Sequence, residues 1–158
     1  MTSTTASRVF PARASAMFAH LTTLPRHEAL IPFTRITARP APAQVGDTIV
    51  AVTAGLLRDV MLVTEISAPD DGPRSGTMPA STGVAVFRKV GPVLLGSARI
   101  EVTPLGASTC RVDWTEDVRL AGAWRMLEVP LTPALHVMTT RALRLLDGTI
   151  DRSEGTRR

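Results

Sequence analysis

Residues Thr109 to Leu120 read TCRVDWTEDVRL, and their alternation decides the fold. Cys110, Val112, Trp114, Val118 and Leu120 share one phase, while Arg111, Asp113, Thr115, Asp117 and Arg119 share the other. A period of two puts these sets on opposite faces of a strand. One face dry and one wet is the pattern of an antiparallel sheet. Glu116 departs from its neighbours in chemistry but not in phase: a bulge near Glu116 would reverse the alternation and expose it at the rim, whereas strict alternation turns its carboxylate toward the apolar side. A carboxylate placed there needs a cation, or its proton affinity rises.

The same pattern extends upstream. In Leu94 to Thr103, Ala98, Ile100 and Val102 oppose Arg99, Glu101 and Thr103, and the turn Pro104–Ser108 leads into the strand that follows. Before the Gly91-Pro92 turn, Val84 to Val90 is a further strand in which Val84, Val86 and Arg88 fall in phase. Arg88 is therefore the expected partner of Glu116. Runs rich in β-branched residues at Thr34–Arg39, Thr48–Thr53 and Asp59–Ile66 are punctuated by Pro40, Pro42 and Gly55, and Thr4–Phe10 is a first strand. From Pro69 to Ser81 there is no periodic pattern, which reads as a long loop.

Two stretches change period. Pro11 suits the first position of a helix in which Ala14, Met17, Phe18, Leu21 and Leu24 recur, with Pro25 as its stop. A short second helix is expected at Arg26 to Leu30. After Gly122 the helical period returns, and Leu131, Leu135, Met138, Ala142, Leu145 and Leu146 form one stripe between Pro130 and Ile150. The expected architecture is α+β: a curved antiparallel sheet of about seven strands wrapped around a long C-terminal helix, with two short helices near the N-terminus. It occupies a single domain, 1–150, followed by a polar tail, 151–158.

Composition narrows the function. A 44% hydrophobic share supplies a core, and 20% charged residues argue against disorder. Lys89 is the only lysine among 18 basic residues, which reads as the coding bias of a GC-rich genome. The net charge of +4 is spread from Arg8 to Arg158 without a patch, which speaks against nucleic-acid binding. The chain has no Tyr and no Asn, so it offers neither a phenolic acid nor a glycosylation sequon. Cys110 stands alone, inward and apolar, which excludes a disulfide framework or thiolate cage and implies a reducing compartment. The first 27 residues lack carboxylates, as transit peptides do, but they also supply the first strand and helix. No apolar run is long enough for stable membrane insertion, and the cytoplasm is the expected location.

The segments FPARASAMF (Phe10–Phe18), LPRHEALIP (Leu24–Pro32), VGDTI (Val45–Ile49), GSARIEV (Gly96–Val102) and GASTCRVDW (Gly106–Trp114) carry a resemblance. In this order the chain resembles the helix-grip fold of the START-like superfamily over residues 4 to 148. Within it, the chain is most similar to the polyketide cyclase/dehydrase and lipid-transport branch of SRPBCC proteins. Members bind sterols, lipids, polyketides, hormones or quinones, and some catalyse aromatisation and cyclisation. The absence of Tyr departs from the enzyme-like members.

The resemblance implies an apolar cavity between sheet and last helix. Trp114 would then stand on its wall, Trp124 at its mouth, and Leu131, Leu135 and Met138 on its floor. Arg88 and Glu116 would orient a polar ligand group, with Glu116 as the catalytic candidate, a general acid/base. His20, His27 and His136 lack ligand spacing, and there is no nucleophile elbow or phosphate loop, so no metal or cofactor is expected. Three readings follow: a binder or carrier of a small hydrophobic molecule, a polyketide cyclase-like enzyme, or an interaction module using the outer sheet face or loop 67–82. A homodimer is compatible with each.

Overall fold

The computed structural model describes residues 2–29, 33–55, 57–71, 80–122, 133–134 and 136–146. Among these residues seven strands and two α-helices follow: β1 (Thr2–Phe10), α1 (Ala14–Thr22), β2 (Thr34–Thr37), β3 (Thr48–Thr53), β4 (Leu57–Ser67), β5 (Gly83–Pro92), β6 (Leu94–Gly106), β7 (Thr109–Leu120) and α2 (136–146). Where a second short α-helix is expected from Arg26, the chain forms a 3-10 helix instead. All neighbouring strands pair antiparallel in the order β1-β7-β6-β5-β4-β3-β2, and the sheet curls into a half-barrel. β1 and β2 are consecutive strands yet form opposite edges, so the chain between them must cross the sheet. It does so through α1, which packs on β5, β6 and β7, and a 3-10 helix at Leu24–Ala29. Among the described residues no helix is long and apolar enough to cross a membrane.

The first helix begins later than Pro11 suggests. Arg13 is still extended, at ψ 140, because the preceding residues turn the chain out of β1. Arg13 makes no side-chain cap, so the first-turn N–H groups find their acceptor elsewhere. Asp71, at the end of the β4–β5 connection described here, accepts the backbone N–H of Ser15 at 2.9 Å and its hydroxyl at 2.5 Å. Burial pushes the Asp71 carboxyl up, but the Ser15 hydrogen bonds, the Arg13 charge and the Ala14 N–H outweigh it and hold the group below its usual value. The same connection is pinned by paired backbone hydrogen bonds between Asp70 and Ser81.

Inside the curl, α1 buries Ala14, Met17, Phe18 and Leu21 on one stripe. Leu24 follows, but Pro25 lacks an N–H for a continuing α-helix and the next residues tighten into the 3-10 segment. α2 buries Thr139, Ala142, Leu143 and Leu146. This corrects the expected stripe, since Leu145 is 42% exposed and Met138 half-buried. Residues 139, 143 and 146 line up at the helical period, which leaves 138 and 145 on the flank. Leu131 and Leu135 lie outside the described residues.

Two outcomes test this arrangement by urea denaturation. Leu143→Ala costs about 2–5 kcal/mol, whereas Leu145→Ala stays within about 1 kcal/mol. Asp71→Ala costs about 1 kcal/mol near neutral pH. Because the folded-state proton affinity of Asp71 is depressed, its contribution is present above the unfolded pKa. The gap between wild type and variant therefore closes as pH falls through the folded value.

Candidate functional site

β7 runs inward and outward by strict alternation, and its pairing with β6 is unbroken from Leu120 to Cys110. No bulge intervenes, so Trp114 and Glu116 both stay on the inner face, only 5% and 2% exposed. Two residues apart on one face, they meet directly: Trp114 Nε1 donates to Glu116 Oε1 at 3.0 Å. Across the neighbouring strands, Glu116 faces Ala98 on β6 and Thr4 on β1. These are short side chains, yet the carboxyl is buried.

The cation that meets Glu116 is not Arg88. On β5 the buried inner phase is Ala85, Phe87 and Lys89, while Val84 and Val86 are half-buried and Arg88 is exposed. Both phases of Val84–Phe87 are apolar, so alternation alone does not choose between them. The choice falls to the charges, because only the inner face offers a β5 cation two carboxylates. Lys89 Nζ lies 2.6 Å from Asp59 Oδ2 and 3.7 Å from Glu116 Oε2, with Met61 Sδ also at 3.7 Å. Asp59 and Met61 share one face of β4, and Met61 stands opposite Lys89 in the ladder. Gly96 stands opposite Lys89 on β6 at φ +128, where a Cβ would come within 2.1 Å of the Asp117 carbonyl oxygen. Glycine is what allows β6 and β7 to close beside the site.

Three ionisable groups thus share one buried spot. Burial works against the Lys89 charge, but the Glu116 and Asp59 carboxylates outweigh it and hold the ammonium above its ordinary pKa. For Glu116 the balance is opposite: burial raises its pKa, and Lys89 and the Trp114 N–H only partly offset this. The geometry agrees, since the short ion pair belongs to Asp59 and Lys89 and leaves Glu116 at the longer distance. Asp59 Oδ1 and Glu116 Oε2 are buried and accept no hydrogen bond among the described residues. A buried carboxyl of raised proton affinity such as Glu116 can exchange a proton or hold a polar ligand group.

The remaining expected site residues divide. Trp114 is on the inner face as read from sequence, and Met138 lies on α2 at the edge of its buried stripe. Trp124, Leu131 and Leu135 lie outside the described residues. α2 reaches the site through His136, whose Nδ1 lies 3.1 Å from the Thr4 hydroxyl. Burial and the Asp71 charge push the Cys110 thiol up to about 11, which keeps it unreactive. Asp59 and Lys89 were not singled out from sequence. Their signals were the phase of Asp59 with Met61 and Val63, and the survival of one lysine in a chain otherwise basic through arginine.

No family model and no curated protein matches the sequence. Solved structures do. A hypothetical protein from Helicobacter pylori aligns at TM-score 0.71 with 12% identity over 94% of this chain and 87% of that one. A START superfamily protein from Mycobacterium smegmatis aligns at 0.63, with 12% identity over 96% and 99%. Norcoclaurine synthase from Thalictrum flavum, in complex with dopamine and hydroxybenzaldehyde, aligns at 0.56, with 12% identity over 92% and 86%. The chain has the START-like fold.

Lys89→Met leaves two buried carboxylates without a cation and costs about 3–5 kcal/mol near neutral pH. Glu116→Gln keeps an acceptor for Trp114 and removes one charge, so it equals or exceeds wild type in stability at about pH 8. A carboxyl with raised folded-state proton affinity stabilises the fold below its unfolded pKa and loses that contribution as pH rises through the folded value. Wild type therefore gains on Glu116→Gln as pH falls from about 8 to about 5, which urea midpoints measure.

Proposed function

We propose that the protein binds a small hydrophobic molecule between the inner face of its curled sheet and the C-terminal helix, with the molecule's polar end at Glu116 and Lys89. The observation that carries this reading is the buried Asp59–Lys89–Glu116 cluster on the inner face of the sheet. Well-packed apolar residues in place of such a cluster are often as stabilising or more so, by about 1–4 kcal/mol. Buried ionisable groups with shifted proton affinities on a concave face are therefore candidates for ligand recognition. The fold supports the reading, and one structural neighbour holds two small organic molecules. Lipids and polyketides are the ligand classes we favour, in a cytoplasmic setting consistent with the lone, buried Cys110.

A second reading, a cyclase-like enzyme, is favoured by the raised proton affinity of Glu116. A buried carboxyl tuned upward suits a general acid/base acting on a ligand carbonyl or hydroxyl. Turnover of a bound compound that disappears in Glu116→Gln, while binding persists, would separate catalysis from carriage.

Native mass spectrometry of protein purified gently from its host tests the binding itself. The expected result is a co-purifying hydrophobic species that is lost in Trp114→Ala. Adding the identified compound at about 100 times its Kd stabilises the fold by about 2.7 kcal/mol. A protein that carries nothing, and whose thermal midpoint no hydrophobic compound in a broad panel raises, would sink the proposal.

A further inference from the structure

Hydrogen-bond accounting around Lys89 narrows the chemistry of the molecule this site would take. The ammonium has three protons. One makes the short bond to Asp59 Oδ2, and the other contacts run to Met61 Sδ and Glu116 Oε2. The indole N–H of Trp114 is given to Glu116 Oε1, and the Thr4 hydroxyl is engaged with His136. The Trp114 N–H is thus committed to Glu116 Oε1 and the short Lys89 bond to Asp59 Oδ2, whereas two buried acceptors, Asp59 Oδ1 and Glu116 Oε2, have no hydrogen bond among the described residues. With all three groups ionised, one ammonium stands against two carboxylates, a surplus of one negative charge. An unpaired acceptor in a dry site costs about 1–3 kcal/mol, more for a charged group, until a donor reaches it.

We infer that the molecule bound here carries a protonated amine, set against Glu116 Oε2 and Asp59 Oδ1. This rests on the proposal that the inner face binds a hydrophobic molecule, and it names that molecule's polar end. An amine supplies donors and cancels the surplus charge. A carboxylate would bring a third negative charge and more acceptors to a site that already holds two acceptors without a hydrogen bond among the described residues. A hydroxyl satisfies one acceptor but leaves the charge in place. The whole molecule carries +4, so its overall field attracts anions, and an amine preference would have to arise locally.

Proton linkage gives the inference a second readout. The ionisable and polar groups facing Glu116 are Lys89 from β5, Asp59 from β4, Trp114 on its own strand, and Thr4 of β1 with His136 of α2 behind it. Arg8 lies farther along β1, over the Phe10 ring. An amine favours the ionised carboxyl, so its binding expels a proton from Glu116 and strengthens as pH rises through the folded-state value.

Three probes with one tail, decylamine, 1-decanol and decanoate, decide the matter by titration calorimetry below their micelle concentrations. The expected order is amine tightest, by about tenfold over the alcohol, with the carboxylate weakest. Glu116→Gln, checked for folding by circular dichroism, loses about tenfold in decylamine affinity and leaves decanol within about twofold. In wild type, decylamine binding releases protons and tightens between about pH 5 and pH 8. Decanoate binding as tightly as decylamine, or an amine preference that survives Glu116→Gln, would overturn the inference and leave hydrophobic binding standing. Failure of all three probes to bind would overturn both.

Discussion

The contact on which the inner face depends is the Lys89 ammonium held between the carboxylates of Asp59 and Glu116. It ties together β4, β5 and β7, strands whose pairing would otherwise rest on apolar side chains that tolerate more than one arrangement. A slip of one residue on β5 would turn Lys89 outward and bring Arg88 in, reversing every side chain on that strand. Two bulges help to hold the register. Val90 is the extra residue that lets Lys89 stand opposite Met61, and Thr64 is the extra residue that carries β4 from Val63 to Ile66 as its inward positions. Bulges of this kind also increase local twist and bend, as a sheet curled into a half-barrel requires.

The cluster is costly in the terms that govern a core. Each charge has lost water, and only the Asp59–Lys89 pair has the short geometry that recovers much of that loss. Glu116 is the residue left with the deficit, which is why its proton is held more tightly than usual. Across the neighbouring strands Glu116 meets Ala98 and Thr4, with Gly96 nearby opposite Lys89, so these positions offer its carboxyl one hydroxyl and no charge. A polar centre bordered by short side chains, on the concave side of a START-like sheet, is an arrangement suited to recognising one polar group on an otherwise apolar molecule.

Much of this was legible where sequence pattern had a single solution. β7 occupies the residues its alternation marked, Thr109–Leu120, and β3 the β-branched run Thr48–Thr53. The phase of Glu116 offers an inward carboxyl, but a bulge would expose it, and only the uninterrupted ladder between β6 and β7 excludes that bulge. The β5 phase was not legible, since Val84, Ala85, Val86 and Phe87 are apolar on both sides. Nor was the roll of α2. Leu143, Leu145 and Leu146 supply more leucines than one stripe can bury, and the sheet took the line through Thr139, Leu143 and Leu146.

By itself, then, the sequence determined the periods: where strands and helices lie, that the sheet is antiparallel, and that a carboxyl on β7 falls in phase with its apolar face unless a bulge intervenes. These follow from local geometry, which a chain expresses residue by residue. Only the tertiary structure decided which cation meets that carboxyl. Asp59, Lys89 and Glu116 come from three strands far apart in the chain, and their meeting depends on bulges and on electrostatic demand across strands. Alternation specifies a face, but it carries no information about what another strand will place opposite.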